Sequence, residues 1–396
     1  IRERKSYKFR VSNQSQKVVQ MEFHVEFCAN LMENQMTVSV TGATGFIGRR
    51  LVQRLHKDNH KIHVLTRSRS KAQLIFPAKD FPHIMIAEET GWKDCIQGSN
   101  AVVNLAGMPI STRWSPEQTA DDGTGDNKWE ESSNSTHLIK KEIKESRIRV
   151  TSKACFLSFT PFVGYYVAAG EKSACERSVH GLHLTMATDC EDLINVAKDG
   201  ARPAVLVSAT AIGYYGTSET QVFDENSPSG NDYLAQICRE WEATALKVNK
   251  DVRVALIRIG IVLGKDGGAL AKMIPLFMMF AGGPLGSGKQ WFSWIHLDDI
   301  VSLIYEALTN PSYTGEINGT APNPVRLSEM CDHLGNVMGR PSWLPVPEFA
   351  LKVVLGEGAS VVLEGQKVLP SRAKELGFPF KYPYVKDALK AILSEA

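Results

Sequence analysis

A glycine-rich loop near residue 40 has the spacing of a phosphate-binding turn. Gly42, Gly45 and Gly48 follow the β-prone run 37–40 (TVSV) and precede an amphipathic stretch. In such a strand-turn-helix unit the first glycine permits a tight turn, the second admits a pyrophosphate, and the third lets the helix pack on the strand. Free N–H groups at the start of the helix then attract phosphate oxygens. The loop predicts a dinucleotide site in preference to a purely structural glycine turn.

The end of the next predicted strand distinguishes between the two nicotinamide dinucleotides. An acidic residue about 20 residues beyond the glycines would bind the ribose 2′-hydroxyl of NAD. The sequence instead has Thr66, Arg67, Ser68 and Arg69 at this place. A guanidinium and hydroxyls suit a 2′-phosphate, so the pattern favours NADP(H). The alternative is that Arg67 and Arg69 are solvated surface charges.

Residues for proton transfer are less evident. The chain has no GxSxG or HExxH motif and no paired Cys/His ligand set, so no metal site is predicted. The remaining candidates are Ser208, Thr210, Tyr214, Tyr215, His296 and Asp298. Ser208 and Tyr215 could polarise a substrate carbonyl, and each is as well suited to a structural hydrogen bond. For His296 a structural role is favoured over that of a general base.

The elements that must position these residues alternate between strand and helix. Ile47, Leu51 and Leu55 recur at helical spacing, and 232–247 is a helical pattern with Trp241 and Leu246 on its apolar face. Buried-strand patterns occur at 37–40, 62–66, 101–105, 204–208 and 252–259. This alternation predicts a Rossmann-like α/β fold, a doubly wound parallel sheet with helices on both faces.

Three segments do not fit this alternation. Residues 1–35 are predicted to be a leader, a remnant of a transit peptide, because 1–20 hold six basic residues and one acidic residue. The alternative is a basic leader without a targeting role. Residues 118–138 are polar and are predicted to be a solvated loop. Residues 155–190 interrupt a helical face, which indicates a retained intron or a mispredicted exon; the alternative is an insertion that touches a membrane or a partner.

The remaining chain is predicted to form an NADP-binding domain over 36–335 and a small, mainly helical C-terminal domain over 336–396. The formal net charge of +2 gives no reason to expect a nucleic-acid partner. No apolar run is long enough for a transmembrane helix. Seven cysteines without a CxxC pair favour a reducing compartment.

Several separate motifs resemble those of the extended short-chain dehydrogenase/reductase superfamily, the NAD(P)-dependent epimerase/dehydratase group. They are TGATGFIG (41–48), NLAG (104–107), SATAIGYYG (208–216), WIHLDDI (294–300) and NGTAPNPV (318–325). The runs GGPLGSGKQWFSWIH and LEGQKVLPSRAKELGFPF are similar to an atypical branch, the SulA-like "epimerase family proteins". Plant members of this branch are chloroplast proteins implicated in plastid division. The resemblance covers most of residues 36–396.

The resemblance implies a set of residues that contact the cofactor. Gly42, Thr44, Gly45, Phe46, Ile47 and Gly48 would surround the phosphates, Thr66 and Arg67 the 2′-phosphate, Leu105 and Ala106 the adenine and ribose, and Val262 the nicotinamide. Glu142 and Arg147 would also approach the cofactor in this branch. For these two residues the alternative is an ordinary charged helix surface.

The sequence departs from the family at the proton-transfer pair. Short-chain reductases use a Tyr and a Lys four residues later, which lowers the pKa of the phenol. When the helix is aligned on Glu242, Leu234 and Cys238 occupy these two positions, and neither side chain can replace them. No register of this region produces the pair.

Two functions are therefore implied by the resemblance. One is an NADP-dependent oxidoreductase or epimerase-like protein that acts in chloroplast division, in the stroma or on the stromal side of the inner envelope. The other is a non-catalytic NADP(H)-sensing regulator. Direct inhibition of division-filament assembly ranks third. The implied partners are an unidentified small-molecule substrate and plastid-division proteins, and peripheral membrane association is left open.

Overall fold

The computed structural model describes residues 35–107, 144–152, 203–355 and 359–394. Residues 1–34, both predicted inserts and Glu142 lie outside the described residues. The strands are β1 (Thr37–Thr41), β2 (Lys61–Leu65), β3 (Ile84–Ala87), β4 (Ala101–Asn104), β5 (Val205–Ala211), β6 (Val222–Phe223), β7 (Arg253–Ile259), β8 (Ile261–Gly264), β9 (Trp291–Phe292), β10 (Trp294–His296), β11 (Gly315–Gly319), β12 (Val325–Arg326) and β13 (Lys367–Val368).

Helices connect and cover these strands. They are α1 (Phe46–Lys57), α2 (Arg69–Ile75), α3 (Trp92–Gln97), α4 (the helical residues 144–152), α5 (Tyr233–Ala245), α6 (Gly268–Met278), α7 (Leu297–Thr309), α8 (Leu327–Met338), α9 (Glu348–Leu355), α10 (Ser360–Leu363), α11 (Ser371–Glu375) and α12 (Val385–Ser394). Within the described part of the chain, no helix is both long enough and apolar enough to span a bilayer.

Seven strands form one sheet in the order β3-β2-β1-β4-β5-β7-β11. Every neighbouring pair in this sheet is parallel. The order reverses between β1 and β4, and such a switch point leaves a crevice at the carboxyl ends of the two strands. The predicted Rossmann-like, doubly wound fold is confirmed.

Apolar side chains cover both faces of the sheet. Leu51 and Leu55 of α1 are fully buried on one face, as their helical spacing predicts. Trp241 of α5 is also buried, but Leu246 is 54% exposed, so its predicted place on the apolar face is wrong. Five residues after Trp241 the helical rotation has carried a side chain about 140° around the axis. Leu246 thus follows the end of α5 and faces solvent.

The C-terminal elements pack on cores that earlier parts of the chain begin. Leu389 of α12 and Leu334 of α8 share one core with Phe277 and Trp294. Phe378 joins the core beneath α1 and α7. Helix α8 runs across residue 335, where the sequence places the boundary between two domains. That boundary stays a prediction.

A buried ion pair joins α5 to the sheet. Arg258 of β7 donates to both carboxylate oxygens of Glu242, at 2.9 Å from Nε and 2.8 Å from Nη2. Only 2% of Arg258 and 6% of Glu242 are exposed. Thr210 donates to Glu242 at 3.1 Å, and the guanidinium carbon of Arg258 lies 3.5 Å from the centroid of the Tyr214 ring. Several partners therefore satisfy both charges in the interior.

Replacing Arg258 with Met should lower the free energy of unfolding by about 3–5 kcal/mol, because the Glu242 carboxylate would stay buried without its partner. Urea denaturation followed by circular dichroism measures the change. Replacing both residues, as Arg258→Met with Glu242→Met, should recover part of the loss.

The matched control is Arg54→Met, which removes an exposed ion pair with Asp58. Exposed pairs contribute about 0–1 kcal/mol. If Arg258→Met destabilises the protein no more than Arg54→Met does, the buried pair lacks the role assigned to it.

Candidate functional site

The glycine loop is packed so closely that Gly42 and Gly48 have no room for a side chain. Gly42 has φ +68°, and a Cβ added there would lie 2.5 Å from the carbonyl oxygen of Leu105. A Cβ on Gly48 would lie 2.2 Å from the oxygen of Gly42. Gly45 caps the N-terminus of α1 without a side-chain hydrogen bond, and the first turn carries no acidic residue. The start of α1 thus offers backbone N–H groups and a positive dipole end to an anion.

Packing by Phe46, Ile47 and Gly48 supports this loop. A Cβ added to Gly267 would lie 2.5 Å from the Phe46 ring, so the ring packs directly on the turn before α6. Ile47 packs against the core of the sheet. What these three residues can offer a phosphate is their backbone.

A cleft of about 460 Å³, here called the glycine-loop cleft, opens where β1 and β4 end. The structure brings together there seven of the residues predicted to bind the cofactor. They are Gly42, Thr44, Gly45, Thr66, Arg67, Leu105 and Ala106.

Sequence reasoning missed three residues of α4 that line the same cleft, Ser146, Arg149 and Val150. Arg149 and Val150 follow Ser146 by three and four residues, so all three lie on one face of a helix. That spacing, together with the predicted approach of Arg147 to the cofactor, was the signal that could have identified them.

The predicted 2′-phosphate position lies at the rim of the cleft. Thr66 is nearly buried and its Oγ1 accepts the N–H of Ser68 at 3.2 Å, whereas Arg67 is exposed. Arg67 lines the cleft, but Arg69 does not. The backbone N–H of Arg69 donates to Glu88 at 3.0 Å. Of the two arginines, Arg67 is therefore the one that a ligand in the cleft would meet.

Arg147 separates the cleft from a second space. A Cβ on Gly107, which lines the cleft, would lie 3.5 Å from Arg147 Nε. The guanidinium carbon lies 5.4 Å from the centroid of Trp241, on the other side. Only 6% of Arg147 is exposed, and burial lowers the pKa of its guanidinium. Arg147 is thus part of a wall, and its predicted contact with the cofactor stays a prediction.

The second space, here called the α5 cavity, has a volume of about 330 Å³. Its apolar lining includes Ile212, Leu234, Ile237, Cys238, Trp241, Ile259, Ile261 and Trp291. Leu234 and Cys238, which the alignment on Glu242 places at the Tyr and Lys positions, both line it. Burial raises the pKa of Cys238 to about 11, so its thiol is protonated at neutral pH.

The two hydroxyls predicted to act on a substrate, those of Ser208 and Tyr215, line neither space. Ser208 is buried in β5 and accepts a hydrogen bond from Asn104 at 3.4 Å. The Tyr215 hydroxyl donates to Asn318 at 2.8 Å and accepts from Arg258 at 3.0 Å. Burial raises the pKa of Tyr215 to about 12. Both hydroxyls have structural partners here, and their catalytic role stays a prediction.

His296 caps the start of a helix and lines neither of these two spaces. Its Nδ1 accepts the N–H of Asp298 at 3.0 Å, which caps α7, and burial lowers the pKa of the imidazole to about 4. Asp298 itself pairs with Arg50 at 2.8 Å. Val262, predicted to lie beside the nicotinamide, is in β8 and lines neither space. Among the described residues, no group of three or more His, Cys, Asp or Glu is placed to bind a metal.

Two family models match the chain. Residues 38–127 and 132–318 match the model described as "NAD dependent epimerase/dehydratase family". Residues 346–392 match a "Domain of unknown function (DUF1731)". The first match spans the seven-stranded sheet and the glycine loop.

The relatives have similar lengths. The "Epimerase family protein SDR39U1 homolog, chloroplastic" of Arabidopsis thaliana is 68% identical over 366 residues, 92% of this chain and 89% of the relative. The "Epimerase family protein YfhF" of Bacillus subtilis is 30% identical over 363 residues, 91% of this chain and 99% of the relative.

Solved structures show the same architecture. The human epimerase family protein SDR39U1 (isoform 2), solved with NADPH, superposes with a TM-score of 0.67 at 27% identity, covering 91% of this chain and 100% of the human chain. A UDP-glucuronic acid 4-epimerase of Bacillus cereus has a TM-score of 0.60 at 16% identity, covering 90% of this chain and 98% of the epimerase. The second likeness concerns the fold alone.

Proposed function

The chain belongs to the NAD dependent epimerase/dehydratase family, and on this basis we propose that it is an NADP(H)-binding oxidoreductase or epimerase-like protein. The human relative solved with NADPH supports the choice of cofactor. The glycine loop fits this group, because a Cβ at Gly42 or Gly48 would clash with the backbone that cradles a phosphate. When bound, the cofactor supplies or accepts a hydride.

The proposed cofactor contacts follow the lining of the glycine-loop cleft. Its pyrophosphate meets the backbone of the glycine loop and the start of α1, where N–H groups favour an anion. Its 2′-phosphate lies beside Thr66 and Arg67, because a guanidinium binds phosphate through charge-assisted hydrogen bonds. Leu105 and Ala106 border its adenine and ribose.

The observation that carries the proposal is that the glycine-loop cleft and the α5 cavity are neighbours, since Gly107 of the cleft contacts Arg147 of the cavity. A hydride moves between two molecules only when the reacting atoms are held close together. A cleft suited to a dinucleotide and an adjoining apolar cavity provide two such neighbouring positions. Ser208 and Tyr215, predicted from the sequence to polarise a carbonyl, line neither space, so that role stays a prediction.

A second function, NADP(H) sensing without turnover, is favoured by one observation. Leu234 and Cys238 face the α5 cavity where a reductase would present its Tyr and Lys. Leucine has no exchangeable proton, and the raised pKa of Cys238 keeps its proton on sulfur. A protein of this kind would bind the cofactor and pass its redox state to a partner.

We place the protein in the chloroplast, in the stroma or on the stromal side of the inner envelope. The support is the name of the Arabidopsis thaliana relative, which calls that protein chloroplastic. A role in chloroplast division, with plastid-division proteins as partners, is the finer part of this proposal.

Replacing Arg67 with Asp should raise the Kd for NADPH by about 10- to 100-fold, because a charge-assisted hydrogen bond contributes about 1.5–3 kcal/mol. The Kd for NADH should change much less, since NADH lacks the 2′-phosphate. Fluorescence titration of the bound cofactor measures both constants.

Lys79→Asp is the control, because it makes the same change of charge in the exposed turn after α2, far from the carboxyl ends of the strands. If the Arg67→Asp protein binds NADPH as tightly as the wild-type protein does, the proposed 2′-phosphate contact is excluded. Failure of the wild-type protein to bind NADPH would refute both candidate functions.

Turnover and sensing differ in the fate of NADPH. If the protein is an enzyme, it should oxidise NADPH in the presence of a chloroplast small-molecule extract, and the Arg67→Asp protein should do so more slowly at limiting NADPH. The absorbance of NADPH follows the reaction. Binding without oxidation in any extract fraction would favour the sensor.

The cellular part of the proposal predicts where a fluorescent fusion of the full-length protein resides. The fusion should enter chloroplasts, and silencing of the gene should change the number and size of chloroplasts per cell. Microscopy of leaf cells measures both. A normal chloroplast count after complete silencing would contradict the division role.

A further inference from the structure

The α5 cavity has walls suited to an apolar ligand. Most of the surface that lines it is apolar, and Ile212, Leu234, Ile237, Trp241, Ile259 and Ile261 contribute to it. Its volume of about 330 Å³ is in the range of pockets that hold a small organic molecule. The polar side chains of the lining are largely engaged within the protein: Thr217 with Glu364, Gln366 with the carbonyl of Ile212, and Ser293 with the backbone of Gln366 and Val368. The hydroxyls of a sugar ring would therefore find few free partners, which is unfavourable. The walls therefore select a hydrocarbon or aromatic body.

Arg147 gives this apolar space one cationic end. It is the only basic residue among the described residues that line the cavity. The two acidic residues of the lining, Asp232 and Glu364, are exposed and already accept hydrogen bonds, from the N–H of Ala235 at 2.8 Å and from Thr217 at 3.0 Å. An anion would thus be attracted to the inner end of the cavity, at Arg147.

The position of Arg147 is fixed by the elements around it. Lys144, three residues earlier in α4, pairs with Glu240 of α5 at 2.7 Å. Thr151, four residues later, accepts a hydrogen bond from Asn104 of β4 at 2.6 Å. With α4 attached on both sides of Arg147, the guanidinium is held between Gly107 and Trp241. A preorganised cation in an apolar space binds an anion more strongly than one in water.

We propose that the α5 cavity binds an apolar molecule carrying a single anionic group, with the anion at Arg147 and the hydrocarbon against Leu234 and the isoleucines. That this molecule is the substrate rests on the proposed function. The anionic group would then lie next to the glycine-loop cleft, where Arg147 contacts Gly107. Arg147 is a specificity-determining residue in this arrangement.

Two fluorescent dyes test the proposal. 8-Anilinonaphthalene-1-sulfonate has an aromatic body and one sulfonate, and N-phenyl-1-naphthylamine has the same rings without the sulfonate. Wild-type protein in excess NADPH should bind the sulfonate dye more tightly than the neutral dye. Arg147→Met should weaken binding of the sulfonate dye about tenfold or more and leave the neutral dye within about twofold.

Matched variants separate this role from a structural one. Arg147→Lys keeps the charge and should retain most of the preference for the sulfonate dye. Arg54→Met, on the remote end of α1, should change neither affinity. Leu234→Trp should fill the cavity and abolish binding of both dyes; if circular dichroism shows that it does not fold, Thr217→Trp at the exposed mouth of the cavity replaces it.

Three results would overturn the anion site. The wild-type protein could bind the two dyes with equal affinity, or Arg147→Met could bind the sulfonate dye as tightly as the wild-type protein does. The third is that Arg147→Met loses the same factor of affinity for both dyes. A parallel NADPH titration separates the two proposals. Lack of NADPH binding, with dye binding that still depends on Arg147 in the absence of cofactor, refutes the proposed function and supports the anion site. NADPH binding without any effect of Arg147→Met refutes the anion site alone.

Discussion

The buried pair of Arg258 and Glu242 sets the orientation of α5, and the α5 cavity depends on that orientation. Glu242 follows Cys238 by four residues and Leu234 by eight, so the three side chains lie along one side of the helix. Two hydrogen bonds to a planar guanidinium fix the carboxylate in direction as well as distance. The helix cannot rotate about its axis without breaking the pair, which keeps Leu234 and Cys238 against the cavity.

The same arginine connects this helix to the C-terminal part of the chain. Arg258 donates to Tyr215, whose ring stacks on Phe223 with centroids 5.4 Å apart. Phe223 ends β6, which pairs with β13, and Asn318 donates to the carbonyl of Leu369 just beyond β13. A network of hydrogen bonds and ring contacts thus connects Arg258 in the sheet with β13, the strand that precedes α11. The walls of the cavity come from elements that this network holds together.

Sequence periodicity predicted the sheet, the glycine loop and the placement of Leu51 and Leu55, because these depend on local spacing and on burial along one element. It could not separate structural from catalytic hydroxyls. Ser208 lies within the buried strand β5 and Tyr215 in the turn that follows it, and their partners Asn104, Asn318 and Arg258 come from other strands. The pairing of these hydroxyls with their partners depends on how the strands pack.

The lining of the α5 cavity could not be predicted from the sequence either. Trp291 lines the α5 cavity while Phe292 and Trp294 are buried in the C-terminal core, although all three belong to one aromatic cluster in the sequence. Arg147 contacts Gly107 of the glycine-loop cleft, and its contact with Trp241 depends on how α4 packs against α5. The family resemblance identified Arg147 as a candidate, and tertiary packing decides what Arg147 and Trp291 face.

Helix α4 forms a wall common to both spaces. Ser146, Arg149 and Val150 face the glycine-loop cleft, and Arg147 faces the α5 cavity. A displacement of this helix that widened one space would reshape the other, and occupancy of the two would then be thermodynamically coupled. Coupling of this kind is reciprocal: a molecule in the cavity that alters the affinity for the dinucleotide has its own affinity altered by the same factor. The oxidation state of the cofactor would then alter the affinity for the second ligand, and the second ligand would alter the affinity for the cofactor. A single turn of α4 would connect the two.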